Sequence, residues 1–389
     1  MKLITPNRFD LMAKYLYVKY KDFNTNFFKT LYHKHIITFN NCWEYPGTKK
    51  NIEEFFIEFD KLIDSIKKDG FNDKYPIPIG NNNVIINGAH RLIISYFYKK
   101  KIYIIKNKEL GNIGYNYEFF LNRKPNPPLE RKYADRMALE YIKINHNIRT
   151  MIIYPTGHGD NIKQIKDIIK NYGYLYYEKE ALLNDNGLNN LIKELYRGEE
   201  WIGGLFPKGI NPGGKYSRCR GNKPTTLLLI HMNDLSKCIE LKNKCRKLYN
   251  IGKHSLHISD YTKDTFRIAS CLLNENSIHF LNNGTNDITL NTKNLLTNYF
   301  NKVGENNEDF CLTSSLIMEM YGLRKAKDID YLHKTNMEIN LKDVGLHSGK
   351  WEKYYNVHKD EIIYNPENHF YFNGFKFATL DLLKNIKKL

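Results

Sequence analysis

Nothing in this sequence approaches the roughly 20 consecutive apolar residues that a membrane helix needs. Its first stretch, MKLITPNRFDLMAKYLYVKYKDF, carries charges where a secretory leader would stay apolar. Neither a membrane span nor a secretory signal is therefore expected. Cysteine is scarce: six residues, at 42, 219, 238, 245, 271 and 311, with no CxxC pair. That spacing does not suit a disulfide framework, and it fits reduced, buried thiols in a cytoplasmic protein. Proline is also scarce, 12 in 389 residues, and no Pro/Ser linker or clean internal repeat breaks the chain. Arginine is rare beside lysine, 12 against 47.

What is present is positive charge and aromatic surface. Lys and Arg total 59 against 42 Asp and Glu, a formal +17, and aromatics make up 14%. A hydrophobic fraction of 42% is enough for real cores. The charge points first to nucleic acid. However, it is spread along the chain, and tracts such as Lys99-Lys100-Lys101 are short. Asn (47) and Tyr (29) are abundant along with Lys, as AT-rich coding of a large DNA virus or an AT-rich bacterium would produce. A nucleotide or sugar phosphate suits this charge as a partner, with nucleic acid as second choice.

Three regions are expected, giving an α+β or α/β fold of three small mixed domains: 1–124, 129–285 and 310–389. Pro125-Asn126-Pro127-Pro128 makes a stiff break. The middle region reads as alternating strands and helices: strands over 151–155, 174–183, 225–231 and 255–259, and helices over 161–172, 187–196, 235–249 and 262–273. An Asn-rich join with a helix over 292–303 leads to the last region.

The first candidate site lies in YPIPIGNNNVIINGAHRLIISYFYKKKIYI. A strand is expected over 84–87, then Gly88 as a turn, then a helix beginning near His90. A helix start leaves amides free, and Arg91 adds a guanidinium fork and His90 a donor. Phosphate binding and simple capping both fit this spacing. The stretch resembles the core of the ParB/sulfiredoxin superfamily over roughly 50–105, through its G-x-H-R turn between a strand and a helix. The resemblance implies that Gly88, His90 and Arg91 bind phosphate or nucleotide. Position 89 is Ala, where sulfiredoxins carry their cysteine, so sulfinic acid repair is not implied.

The second candidate is KHSLHISDYTKDTFRIASCLL. On a strand, period two places Ser255, His257 and Ser259 on one face, and Asp260 is expected to cap the following helix. His257 is the candidate acid/base or phosphoryl acceptor, with Asp260 beside it and Arg246 to balance phosphate charge. The loop YPTGHGDN offers His158 and Asp160 for a ligand at a strand's C-terminal end. The glycine-rich GEEWIGGLFPKGINPGGK has amides to close over a ligand, but not the P-loop spacing. The middle region is similar to the ferredoxin-like layout of nucleoside-diphosphate kinases, whose active histidine lies in N-x-x-H-G-S-D. His257, Ser259 and Asp260 match that run, while His254 and Ile258 replace its Asn and Gly. Ile268 stands where the family carries Glu, and the family's first-strand Lys is missing. The resemblance therefore implies a shared fold with different chemistry.

The third candidate is FCLTSSLIMEMYGLRKAKDIDYL. A helix is expected over 316–321 and a strand over 328–332, with Asp328 and Asp330 on one face. Paired carboxylates invite Mg²⁺, and Ser314 and Ser315 at a helix start invite phosphate. A third carboxylate is expected from Asp360 or Glu361 before a strand at 362–364. The segment resembles the nucleotidyltransferase superfamily, with its small-residue turn followed by D-x-D. The resemblance implies Mg²⁺ on Asp328 and Asp330 and a nucleoside triphosphate or nucleotide sugar as substrate. Farther on, aromatics around Asn373-Gly374 signal a hairpin.

Taken together, these features point to a nucleotide-dependent transferase that moves a phosphoryl or nucleotidyl group to a small molecule, such as a sugar or glycan precursor. The alternatives are a glycosyltransferase using a nucleotide sugar, a ParB-like nucleic-acid binder, and a non-catalytic scaffold of degenerate domains.

Overall fold

The computed structural model describes residues 3–44, 49–80, 83–107, 114–157, 159, 161–206, 214–285, 287–349 and 351–386. Helix and sheet are mixed throughout, as expected. The chain forms two compact units, Met1–Tyr141 and Ile142–Leu389. No helix among the described residues is long and apolar enough to cross a membrane. All six cysteines are free thiols, and five of them are buried.

The first unit is mainly helical. Its helix Ile52–Asp69 shows how sequence sets its elements. Asn51 caps it by accepting from Glu54 N at 3.0 Å, and Glu54 Oε2 returns to Lys50 N at 2.7 Å. Phe55, Phe59, Ile63 and Ile66 then form its buried stripe. They meet an aromatic core that includes Tyr17 and Tyr32 from the helices Leu11–Tyr20 and Phe27–Asn40. Strands β1 (Ile77–Ile79) and β2 (Ile104–Lys106) pair in parallel. The strand expected over 84–87 does not form. Gly80 N bonds to Val84 O, and Ile85 forms an isolated bridge with Ile79.

The second unit holds two sheets. In one, β3 (Ile148–Ile153), β4 (Gly173–Ala181), β5 (Thr225–Met232) and β6 (Leu256–Ile258) lie in the order β4-β5-β3-β6, all antiparallel. Met151, Ile153, Leu228, Ile230, Leu256 and Ile258 pack one face against the helices Asn161–Ile169 and Cys238–Lys247. The expected helix over 235–249 starts as a 3-10 turn, Leu235–Lys237, because Asp234 bonds Ser236 N and tightens the entry.

In the other sheet, β7 (Phe310–Thr313), β8 (Ile329–His333), β9 (Val344–Leu346), β10 (His369–Phe372) and β11 (Phe375–Ala378) take the order β10-β11-β7-β8-β9. The hairpin at Asn373-Gly374 forms as read. Residues 359–364 form the helix Lys359–Tyr364, not a strand. Asp360 and Glu361 occupy its first turn, where carboxylates favour the helix dipole, and His358 caps it.

Candidate functional site

The polar constellation richest in chemistry follows β7. Ser314 is the N-cap of the short helix Ser315–Met320, with φ 60° and ψ −137°. A residue bearing a Cβ is strained there by about 1 to 3 kcal/mol, so its surroundings must hold it. Ser314 Oγ lies 3.2 Å from His347 Nδ1, and His347 Nε2 lies 3.0 Å from Asp330 Oδ1. The phenol of Tyr355 lies 3.1 Å from the same Nδ1 and 3.0 Å from Thr313 Oγ1. Burial pushes that phenol up to about 12, so it stays neutral. A neutral imidazole satisfies these contacts when Nε2–H donates to the carboxylate and Nδ1 accepts a hydroxyl proton. The result is a chain of serine hydroxyl, imidazole and carboxylate.

Sheet register builds this chain. Asp330 on β8 stands opposite Thr313 on β7 and Gly345 on β9. A Cβ on Gly345 would come to 3.0 Å from Asp330 Oδ1, so the glycine leaves the carboxylate its space. Asp328 precedes β8, so the two aspartates do not share a strand face as expected. It is exposed, and Ser315 Oγ donates to its Oδ1 at 3.3 Å. The structure thus brings Ser314, Ser315, Asp328 and Asp330 together. With 359–364 helical, the expected strand-borne third carboxylate is absent, and among the described residues no three His, Cys, Asp or Glu side chains converge as a metal site. Two carboxylates with hydroxyls still suit Mg²⁺, which keeps waters and takes further oxygens from a substrate phosphate. Sequence reasoning missed His347 and Tyr355. The only local signal was a histidine ending the short Val344–Leu346 strand.

The second constellation is organised differently from expectation. His257 is 8% exposed on β6, edge-on to Tyr196 with ring centres 5.0 Å apart. Burial pushes it down to about 3, helped by the charges of Lys242, Lys215 and Arg246, so it is neutral. Ser259 is not its partner: its hydroxyl is buried against Thr150 N (3.0 Å) and Thr265 Oγ1 (2.7 Å). Asp260 does not cap the next helix. The N-cap is Tyr261, and Asp260 pairs with Lys242 at 2.8 Å, across from the expected role. Arg246 donates to Leu256 O at 3.2 and 3.4 Å. His158 and Asp160 lie outside the described residues, as does 207–213 of the glycine-rich loop.

At the first candidate site, Gly88 has φ 80° and starts the helix Ala89–Phe97. His90 faces inward: its Nε2 is 2.9 Å from Tyr32 OH, and its ring lies edge-on to Phe59. Burial, then the charges of Lys14 and Lys49, holds its pKa well below the usual range. It borders a pocket of about 350 Å³ lined also by Tyr32, Lys49, Phe55 and Phe59. Arg91 donates to Tyr75 O. The two side chains therefore point to different tasks, and the fork of Arg91 is partly spent on backbone.

Comparison with family models, with curated proteins and with solved structures finds no match.

Proposed function

We propose that this chain is a nucleotide-dependent transferase that moves a phosphoryl or nucleotidyl group to a small acceptor, with the Ser314–Asp330 centre at work. One observation carries the reading: a strand–turn–helix brings two serine hydroxyls to two aspartates, Ser315 against Asp328 and Ser314 to Asp330 through His347. In this reading the serines grip phosphate oxygens, and Asp328 and Asp330 hold Mg²⁺, which offsets charge on the transferred group. His347 holds the Asp330 carboxylate in place. The β7–helix–β8 order supports a nucleotidyltransferase-like last region. The second-third-first-fourth antiparallel order of β3 to β6 supports a ferredoxin-like middle region, and the Gly88 turn supports a ParB-like first region. A nucleotide-sugar donor is compatible with the same oxygen ligands.

The test is thermal shift with ATP, CTP, GTP, UTP and nucleotide sugars, with and without Mg²⁺. A Mg²⁺-dependent rise for one of them, lost in the Asp328→Asn/Asp330→Asn double variant, supports the reading. No rise for any of them overturns it.

A specific observation favours a second reading. The strained Ser314 backbone and the Ser314–His347–Asp330 chain also suit a nucleophilic serine in acyl transfer. Its imidazole is turned relative to the usual triad, with Nδ1 toward serine. Labelling of Ser314 by a fluorophosphonate, abolished by His347→Ala, would select this reading.

A further inference from the structure

A corner of the second unit, separate in its residues from the Ser314 centre, gathers cations that pair with no carboxylate among the described residues. Four segments meet there: the turn Pro155–Gly157 after β3, the helix Lys215–Cys219, the end of Cys238–Lys247, and the turn Gly252–His254 before β6. They are tied firmly. Thr156 Oγ1 reaches His254 O at 3.1 Å and Cys219 O at 3.4 Å, and Tyr154 N donates to Ser255 O at 2.9 Å. Gly157 packs so closely that a Cβ would lie 2.5 Å from Ser255 O.

Lys215, Arg218, Arg246 and Lys253 converge on His254, and all four depress its pKa once burial has acted. Among the described residues none of the four pairs with a carboxylate. Asp260, near His257, pairs with Lys242. Lys215 is only 5% exposed. Its ammonium donates to Lys253 O and lies 4.9 and 5.5 Å from the ring centres of Tyr154 and Tyr196. Cys219 does not supply the missing charge, because burial pushes its thiol up to about 11. Burial also pushes Lys215 down to about 8, as expected of an ammonium with no counter-ion.

Three other buried cations of this unit do have carboxylate partners: Arg267 meets Glu194 at 3.0 Å, Arg197 meets Glu305 at 2.9 Å and Lys179 meets Glu275 at 2.6 Å. A buried charge without a partner is costly, so the corner calls for an anion. His254 adds a second sign. Arg218 Nη1 lies 3.4 Å from its Nε2, and a guanidinium only donates, so the ring proton belongs on Nδ1. That Nδ1 is buried with no partner among the described residues.

We propose that Lys215, Arg218, Arg246 and Lys253, with His254 beside them, form a binding site for a phosphoryl group such as a nucleotide or a sugar phosphate carries. Guanidinium forks and ammonium groups arranged around one anion match the several oxygens and double charge of phosphate. The site stands whether or not the Ser314 centre transfers phosphate.

Calorimetric titration of the full chain with pyrophosphate at low salt tests it, with sulfate at matched ionic strength as the control for bulk charge. Pyrophosphate should bind, and the Arg218→Glu/Lys253→Glu variant should weaken it at least tenfold. Both side chains are exposed, so a thermal melt should show that the variant stays folded. Lys215→Met is the buried counterpart and should weaken binding similarly. The titrations are run without Mg²⁺, which the proposed transfer centre needs to hold phosphate beside its carboxylates, so that binding at this corner is read separately from that centre. Absence of pyrophosphate binding to the wild-type chain, an unchanged affinity in the double Glu variant, or equal binding of sulfate would each overturn the proposal.

Discussion

Two turns into a helix, one in each unit, use the same backbone device to opposite ends. Gly88 and Ser314 both have positive φ, 80° and 60°, and both lead directly into a helix. At Gly88 the flanking side chains serve the fold: His90 is bonded to Tyr32, and Arg91 to the Tyr75 carbonyl. Glycine takes that conformation without strain. At Ser314 a side chain sits where glycine would be cheaper, and its hydroxyl joins a polar chain that ends on a largely buried carboxylate. On the proposed reading, the strain is kept at the polar turn that works, while the relaxed turn lies beside an aromatic core. The lesson is that a motif's backbone form says little until its side-chain partners are known.

The largest expected effect breaks this contrast if it fails. Asp330→Asn should lower Mg²⁺-dependent transfer by on the order of 100-fold or more in kcat/KM, while Arg91→Ala should leave it nearly unchanged. A comparable loss in Arg91→Ala would put the Gly88 turn to work as a phosphate grip.

Next in size is an acid effect in the first unit. His35 is fully buried between Phe39 and Phe120, and neither of its ring nitrogens has a partner among the described residues. Burial holds its pKa well below 6.5. The folded state thus binds fewer protons than the unfolded chain, so this contribution is whole above pH 6.5 and is lost as pH falls below it. His35→Phe should stabilise the unit by about 2 kcal/mol at pH 7.5, through removal of unpaired polar atoms, and by more at pH 5. Urea unfolding at both pH values measures the difference, and a gain that does not grow toward pH 5 would contradict a neutral buried histidine.

Smaller still is a reciprocal pair of substitutions at the two turns. Gly88→Ala should cost about 1 to 2 kcal/mol, since its Cβ would meet Arg91 Nη2 at 2.9 Å in a left-handed conformation. Ser314→Gly should release about 1 kcal/mol of strain and lose activity. Thermal melts paired with activity assays would show stability and function moving in opposite directions only at Ser314. The smallest effect is Ser315→Ala. It removes a 3.3 Å contact to an exposed aspartate and should change stability by less than about 0.5 kcal/mol.

Much of the fold was legible. The apolar stripes of the helices Asp185–Leu195 and Leu290–Val303, the strands β4 and β5 and the hairpin at Asn373-Gly374 follow from local periodicity and turn chemistry. Errors clustered where short elements compete. Residues 84–87 have the β-branched content of a strand but too little length between turns to pair beyond one bridge. Residues 362–364 are apolar enough for a strand, yet His358 and the acids Asp360 and Glu361 just before them favour a helix. At the candidate sites, Ser314, Ser315, Asp328 and Asp330 were legible because a strand, turn and helix keep them close in sequence. Asp260 was misread because a lysine on another helix took it before it could cap.

The sequence by itself determined the mixed fold, the placing of a serine pair ahead of a D-x-D and the surplus of lysine. Only the tertiary structure decided which of these residues act together. His347 reaches Asp330 because β8 and β9 pair in parallel, and a parallel pair must be joined by a connection whose ends carry no local record of each other. The same holds for Lys215 and Lys253, which 38 residues separate and one hydrogen bond joins.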